Sequence, residues 1–151
     1  MNYPPDHDEC LILFEELRQL DASTGHEFNG RKYEIIHDLA EGQFYEAKPY
    51  FVQGLTNPDP DYRWYAISAL FTHWRLTEPE LISRLIEMAL SDEEALVRII
   101  AMSCLGWLSA QIPDAKNVLE QIANDQNEEP DIREIAEKEL ANIHRYTKGK
   151  G

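Results

Sequence analysis

The chain has 151 residues, 43% of them hydrophobic, enough for one domain with a sizeable core and too apolar for wholesale disorder. Its 28 acidic residues against 14 basic ones leave a net charge of −14. Such a surface repels phosphate backbones and anionic headgroups, which disfavours nucleic-acid and membrane binding. It favours a basic protein partner, although the same acidity also serves plain solubility.

Residues 1–7 read as a flexible leader, because Pro4 and Pro5 oppose helix. With neither a basic region nor a long apolar run, the leader is not expected to act as a signal peptide. No stretch reaches the roughly 18 apolar residues of a membrane span. Cys10 and Cys104 form no Cys-x-x-Cys and no disulfide framework, and Cys104 sits in a small apolar slot. Together these predict a soluble, cytoplasmic protein.

Cys10, Leu11, Leu13, Phe14, Leu17 and Leu20 recur at helical spacing, with Asp6, Asp8 and Glu9 near the positive end. Residues 21–30 read as a loop. Tyr33, Ile35, Ile36, Leu39 and Ala40 form a second stripe, stopped by Gly42. The third spans residues 44–56 and contains Pro49, which either opens a late-starting helix or kinks an early one. A fourth helix is expected from Asp61 to Trp74, with Tyr62, Ala66, Ala69, Leu70 and His73 on one face. Thr77-Glu-Pro-Glu80 and Ser91-Asp-Glu-Glu94 have capping-box spacing and predict the starts of the fifth and sixth helices. Pro113 and Pro130 predict the starts of the seventh and eighth. No segment alternates apolar and polar residues as a half-buried strand does. The tail, residues 147–151, should fray.

The strongest signal is a repeat. Arg63, Arg98 and Arg133 are spaced by 35 residues, as are Ala66, Ala101 and Ala136, and Leu70, Leu105 and Leu140. A fixed period of this size marks units that cannot bury their apolar faces alone. The small alanines let helices cross closely, and the leucines fill the layer between them. The arginines sit in the first turn of their helices, against the dipole, so each needs an outside acceptor. Asp61, Asp92 or Glu94, and Asp131 are candidates for a ladder of arginine–acid contacts; the alternative is that these arginines bind a ligand.

The phrase Val97-Arg98-Ile-Ile-Ala101-Met-Ser-Cys-Leu105-Gly106, with its copies at Tyr62–Leu70 and Ile132–Leu140, resembles the second helix of a HEAT repeat, especially the short form of phycobilin lyase-type proteins. The third copy is weaker, since Glu137 and Glu139 stand where small residues usually sit. The resemblance implies an all-α, right-handed superhelix of four antiparallel helix pairs. One domain over residues 8–146 would hold a degenerate pair at 8–42 and motif-bearing repeats at 44–143.

No catalytic motif is present. His7, His26, His37, His73 and His144 are scattered without His-Glu-x-x-His or other paired metal spacing, and the lone His26-Glu27 pair lacks the companions a di-iron hydroxylase of this fold needs. No cofactor or metal is expected. The candidate partner-binding residues are Trp64, Tyr65, Phe71, Arg75, Ile99 and Trp107, on a second face of the motif helices that would line a concave groove. Rings ringed by acid suit protein recognition. The competing expectation is that they pack between repeats, leaving two or three of Trp64, Tyr65, Phe71, Trp74, Ile99 and Trp107 exposed. The resulting expectation is a protein–protein interaction module for a basic partner, an immunity- or antitoxin-type inhibitor or an adaptor. The alternative is an accessory protein for pigment or cofactor attachment.

Overall fold

The computed structural model describes residues 3–25 and 27–148, without the side chains of residues 144–148. His26, the side chain of His144 and most of the expected tail lie outside it. Eight α-helices account for the fold, and there is no strand among the described residues. The chain divides into two compact units, residues 1–77 and 78–151.

In the first unit, α1 (His7–Thr24) opens with Asp6, whose carboxylate accepts from the Glu9 amide while Glu9 reaches back to the Asp6 amide. Cys10, Leu13 and Leu17 are buried, whereas Leu11 and Ile12 face solvent. Helix α2 (Gly30–Glu41) is capped by Asn29 and buries Ile35, Ile36, Leu39 and Ala40. A 3-10 turn (Tyr45–Ala47) precedes α3 (Lys48–Gly54), so Pro49 falls in the first turn, where its missing amide costs nothing. Helix α4 (Pro60–Ile67) begins at Pro60, after Asp59 as cap. A close crossing of α3 and α4 is set by small residues: a Cβ on Gly54 would lie 3.1 Å from the Ala66 Cβ.

The expected fourth helix does not run regularly to Trp74. Ser68–His73 winds as a π-helix, with the Trp74 amide bonded to the Ala69 carbonyl at 3.0 Å. The equivalent position in the next repeat, Ser109, bonds to Leu105 as an ordinary α-helix does. The wider turn changes the phase of every side chain beyond Ile67. Phe71 lies in the core, and His73, near the end of the segment, is partly buried.

In the second unit, α5 (Pro79–Ser91), α6 (Ala95–Leu108), α7 (Pro113–Asn124) and α8 (Pro130–Lys148) pack as two helical hairpins. Neither expected capping box forms. Pro79 takes the first turn of α5 behind Glu78, and α6 begins at Ala95 behind Glu94, with no side-chain cap in either case. Asp92 instead accepts from the Glu94 amide in a local turn. Ala101 and Ala136 are fully buried, as is Leu105.

The repeated arginines find acceptors outside their own helices. Arg63 donates to the carbonyls of Asn57 and Pro58. Arg98 donates to Ala89 O and makes a two-armed pair with Glu128, at 2.9 and 2.5 Å. Arg133 reaches Gln126 at 3.4 Å.

Two carboxyls of this unit are perturbed in opposite senses. Hydrogen bonding to Arg98 holds Glu128 below the usual carboxylate range. Burial pushes Glu139 above it, only partly offset by Ser103, and its carboxylate occupies the space left by Gly106. Glu128 therefore contributes stability above its unfolded pKa, lost as pH falls through the folded value, and Glu139 opposes folding as pH rises through its own. Urea melts should show Glu128→Gln less stable than wild type at neutral pH and Glu139→Gln more stable. Both differences should shrink toward zero once the pH is below the carboxylate range.

Candidate functional site

The candidate site of the first unit is built on α2, α4 and the π segment. A cavity of about 180 Å³ lies between them, lined by Tyr33, His37, Trp64, Tyr65, Ser68 and His73. The rings form a connected set. Tyr65 stacks on Phe28 at 5.0 Å and 8°, and meets Tyr33 and Trp64 edge-on at 5.1 and 4.9 Å. Burial raises the Tyr65 hydroxyl pKa, and Tyr33 and Asp61 add to the rise. At the C-terminal end, Trp74 donates from Nε1 to the Ala40 carbonyl at 3.0 Å, fastening the end of α2 to the end of the π segment. His73 donates from Nδ1 to the Ser68 carbonyl, and its Nε2 faces Glu41.

The expected site residues divide. Trp64 and Tyr65 line this cavity and remain half-buried. Phe71 is 0% exposed and Trp74 7%, so neither is a surface residue. Phe71 is removed from the candidate set because it is packed in the core. Arg75 is exposed in a left-handed conformation (φ 53°) just beyond the π segment, with its Nε on the Thr72 carbonyl. Ile99 and Trp107 are half-buried on α6 of the second unit. Sequence reasoning missed Phe28 and Tyr33, which complete the ring set, and the grouping of His37, Glu41 and His73. The available signal was the one-turn spacing of His37 and Glu41, which puts both on one face of α2.

A second, larger hollow of about 500 Å³ involves Asp21, Tyr50, Gln53, Asn57 and Tyr62. Its polar groups satisfy one another. The Asp21 carboxylate accepts from the hydroxyls of Tyr50 and Tyr62 and pairs with Lys32 at 3.1 Å. Lys32 is wholly buried, and its ammonium also donates to the carbonyls of Gly25 and Glu27. Burial, reinforced by hydrogen bonding to Asp21, pushes both tyrosines well above the usual phenol range, so they remain protonated donors. The larger hollow is thus a structural joint, and the ring-lined cavity is the better candidate site.

A family model for HEAT repeats matches residues 48–141. The chain belongs to the HEAT-repeat family. No curated protein and no solved structure matches it. The HEAT match covers all three copies of the arginine–alanine–leucine motif. It identifies an all-α helical-repeat protein, without singling out the phycobilin lyase type. HEAT repeats are generally scaffolds for protein interaction, and no helix among the described residues is long and apolar enough to cross a membrane.

The joint supports the site, because Tyr62 on α4 and Lys32 on α2 meet at Asp21. Lys32→Met removes the ammonium, leaves the Gly25 and Glu27 carbonyls without their donor and unbalances Asp21. The expected loss is about 3 kcal/mol in urea unfolding at neutral pH, with hydrogen exchange rising first at Gly25 and in residues 27–29.

Proposed function

We propose that this HEAT protein is a cytoplasmic protein-interaction module that captures a basic partner, with Trp64 and Tyr65 of the first unit as its anchors. The observation that carries the reading is the ring set at the surface: Trp64 and Tyr65 are half-buried and Tyr33 is exposed, close to the carboxylates of Asp61, Asp38 and Glu41. Large rings held at a fixed angle bury area on binding at little entropic cost, which is why such residues dominate interface energies. The net charge of −14 would steer a cationic partner toward any face of the molecule. Ile99 and Trp107 offer a further half-buried apolar surface in the second unit, and Arg75 lies at the edge of the first. An immunity- or antitoxin-type inhibitor of a basic toxin fits this chemistry; an adaptor for a larger assembly uses the same surface.

The test is direct. Basic candidate proteins, beginning with products of adjacent reading frames, are titrated against the wild type and against a Trp64→Ala, Tyr65→Ala double variant. The variant should bind at least about tenfold more weakly, with the slowed association at high salt that steering requires. Equal binding by both proteins, with the variant's helicity unchanged, would remove the ring set from the function.

A further inference from the structure

Three metal-ligating side chains converge at one edge of the ring-lined cavity. His37 and Glu41 lie one turn apart on α2, and His73 comes from the π segment. One ring nitrogen of each histidine and one oxygen of Glu41 lie within 4.8 Å of one another. Glu41 Oε1 is 3.1 Å from His73 Nε2 and 3.7 Å from His37 Nε2. Zinc, with bonds of about 2.0–2.1 Å, holds tetrahedral ligands roughly 3.3 Å apart. Small side-chain rotations bring these three donors to that spacing.

The hydrogen bonding of His73 narrows what belongs between them. A carbonyl cannot donate, so the proton on the His73–Ser68 contact, 3.1 Å long, resides on Nδ1. Nε2, facing the Glu41 carboxylate, then either carries a second proton or offers a lone pair. Two lone pairs do not face each other at 3.1 Å without a positive charge between them. A proton serves His73 and Glu41 alone, and leaves His37 merely near the same oxygen. A divalent cation engages all three. The surroundings fit a cation as well: the Asp38 carboxylate, 3.8 Å from His37 Nδ1, adds negative charge beside the three ligands. All three side chains are partly exposed, so an ion can enter. Two imidazoles and one carboxylate select late first-row ions over magnesium or calcium. Three protein ligands leave a fourth position for water or for a group brought by another molecule.

We propose that His37, Glu41 and His73 form a binding site for a late first-row divalent cation, zinc foremost, which joins α2 to the π segment beside the ring-lined cavity. The site needs no partner protein and stands whether or not the ring set binds one. The π winding gains a reason from it, because π turns commonly mark functional positions and this one aims His73 at α2.

The experiment uses the full chain, untagged and stripped with a chelator. Zinc is titrated by calorimetry at neutral pH, and cobalt(II) by its visible absorption. The wild type should bind one equivalent of each, cobalt should show the intense bands of a tetrahedral site, and zinc should raise the melting temperature. His37→Gln, on a partly exposed helix face, should weaken zinc binding by at least about tenfold while keeping the wild-type circular dichroism. His37→Gln combined with His73→Gln should abolish the cobalt bands. Absence of stoichiometric binding to the wild type would overturn the proposal, and so would unchanged binding in a folded His37→Gln variant, which would put the ion elsewhere.

Discussion

An ammonium group with no access to water dictates the geometry of the first unit. Lys32 is the largest wholly buried polar side chain, and it is held by two carbonyls of the segment between α1 and α2 and by Asp21. Burying such a charge costs several kcal/mol unless every hydrogen finds an acceptor. That demand pins the connecting segment back against α2. Asp21 also takes hydrogen bonds from Tyr50 on α3 and Tyr62 on α4, so one carboxylate ties four helices together. With α2 and α4 fixed at this end and joined at the other by Trp74 and the Ala40 carbonyl, the cavity between them is held from both sides. The stretch of α2 that carries His37 and Glu41 is thereby held beside the π segment.

The repeat shows how one motif tolerates different local solutions. All three arginines face the same problem, a cation in the positive first turn of a helix, and each solves it with what its turn provides. Arg63 has the carbonyls of a proline-rich turn, Arg98 has a carboxylate, and Arg133 has only an amide at long range. The motif thus requires an acceptor at that place and not a particular residue. The small positions behave likewise. Gly106 in α6 leaves room for a side chain, and Glu139 of α8 fills it at the cost of desolvating its own carboxylate. The weakness of the third copy of the motif and the glycine of the second are two sides of one packing event.

Most of the architecture was legible because it rests on local rules. The prolines that open α7 and α8, the buried alanines and the absence of strands among the described residues follow from backbone geometry and periodicity. Capping boxes were misread at Thr77 and Ser91 because Pro79 and an Asp92 turn captured those starts. The π segment could not be read at all. A pattern of apolar residues fixes which face is buried only if the winding is assumed, and an assumed α-helix put Phe71 on a second apolar face whose exposure stayed open and His73 on the Leu70 face. The site was invisible for a related reason. Lys32 and Asp21, or Glu41 and His73, meet through packing of helices distant in sequence, and no spacing rule spans that distance.

The remaining question is why rings so well paired with one another should also be offered to solvent. Phe28, Tyr33, Trp64 and Tyr65 already have edge and face contacts, and burying them fully would require only a larger neighbour. A side chain that is partly exposed yet locked by its neighbours has surrendered most of its rotamer freedom on folding. Any molecule that covers it gains apolar burial without paying that entropy again. Solvent-facing rings that moved freely would be a weaker platform, and fully buried ones would be none. The cluster sits between those extremes, on helices whose relative position is set by a buried charge, and that combination is what a preformed recognition surface requires.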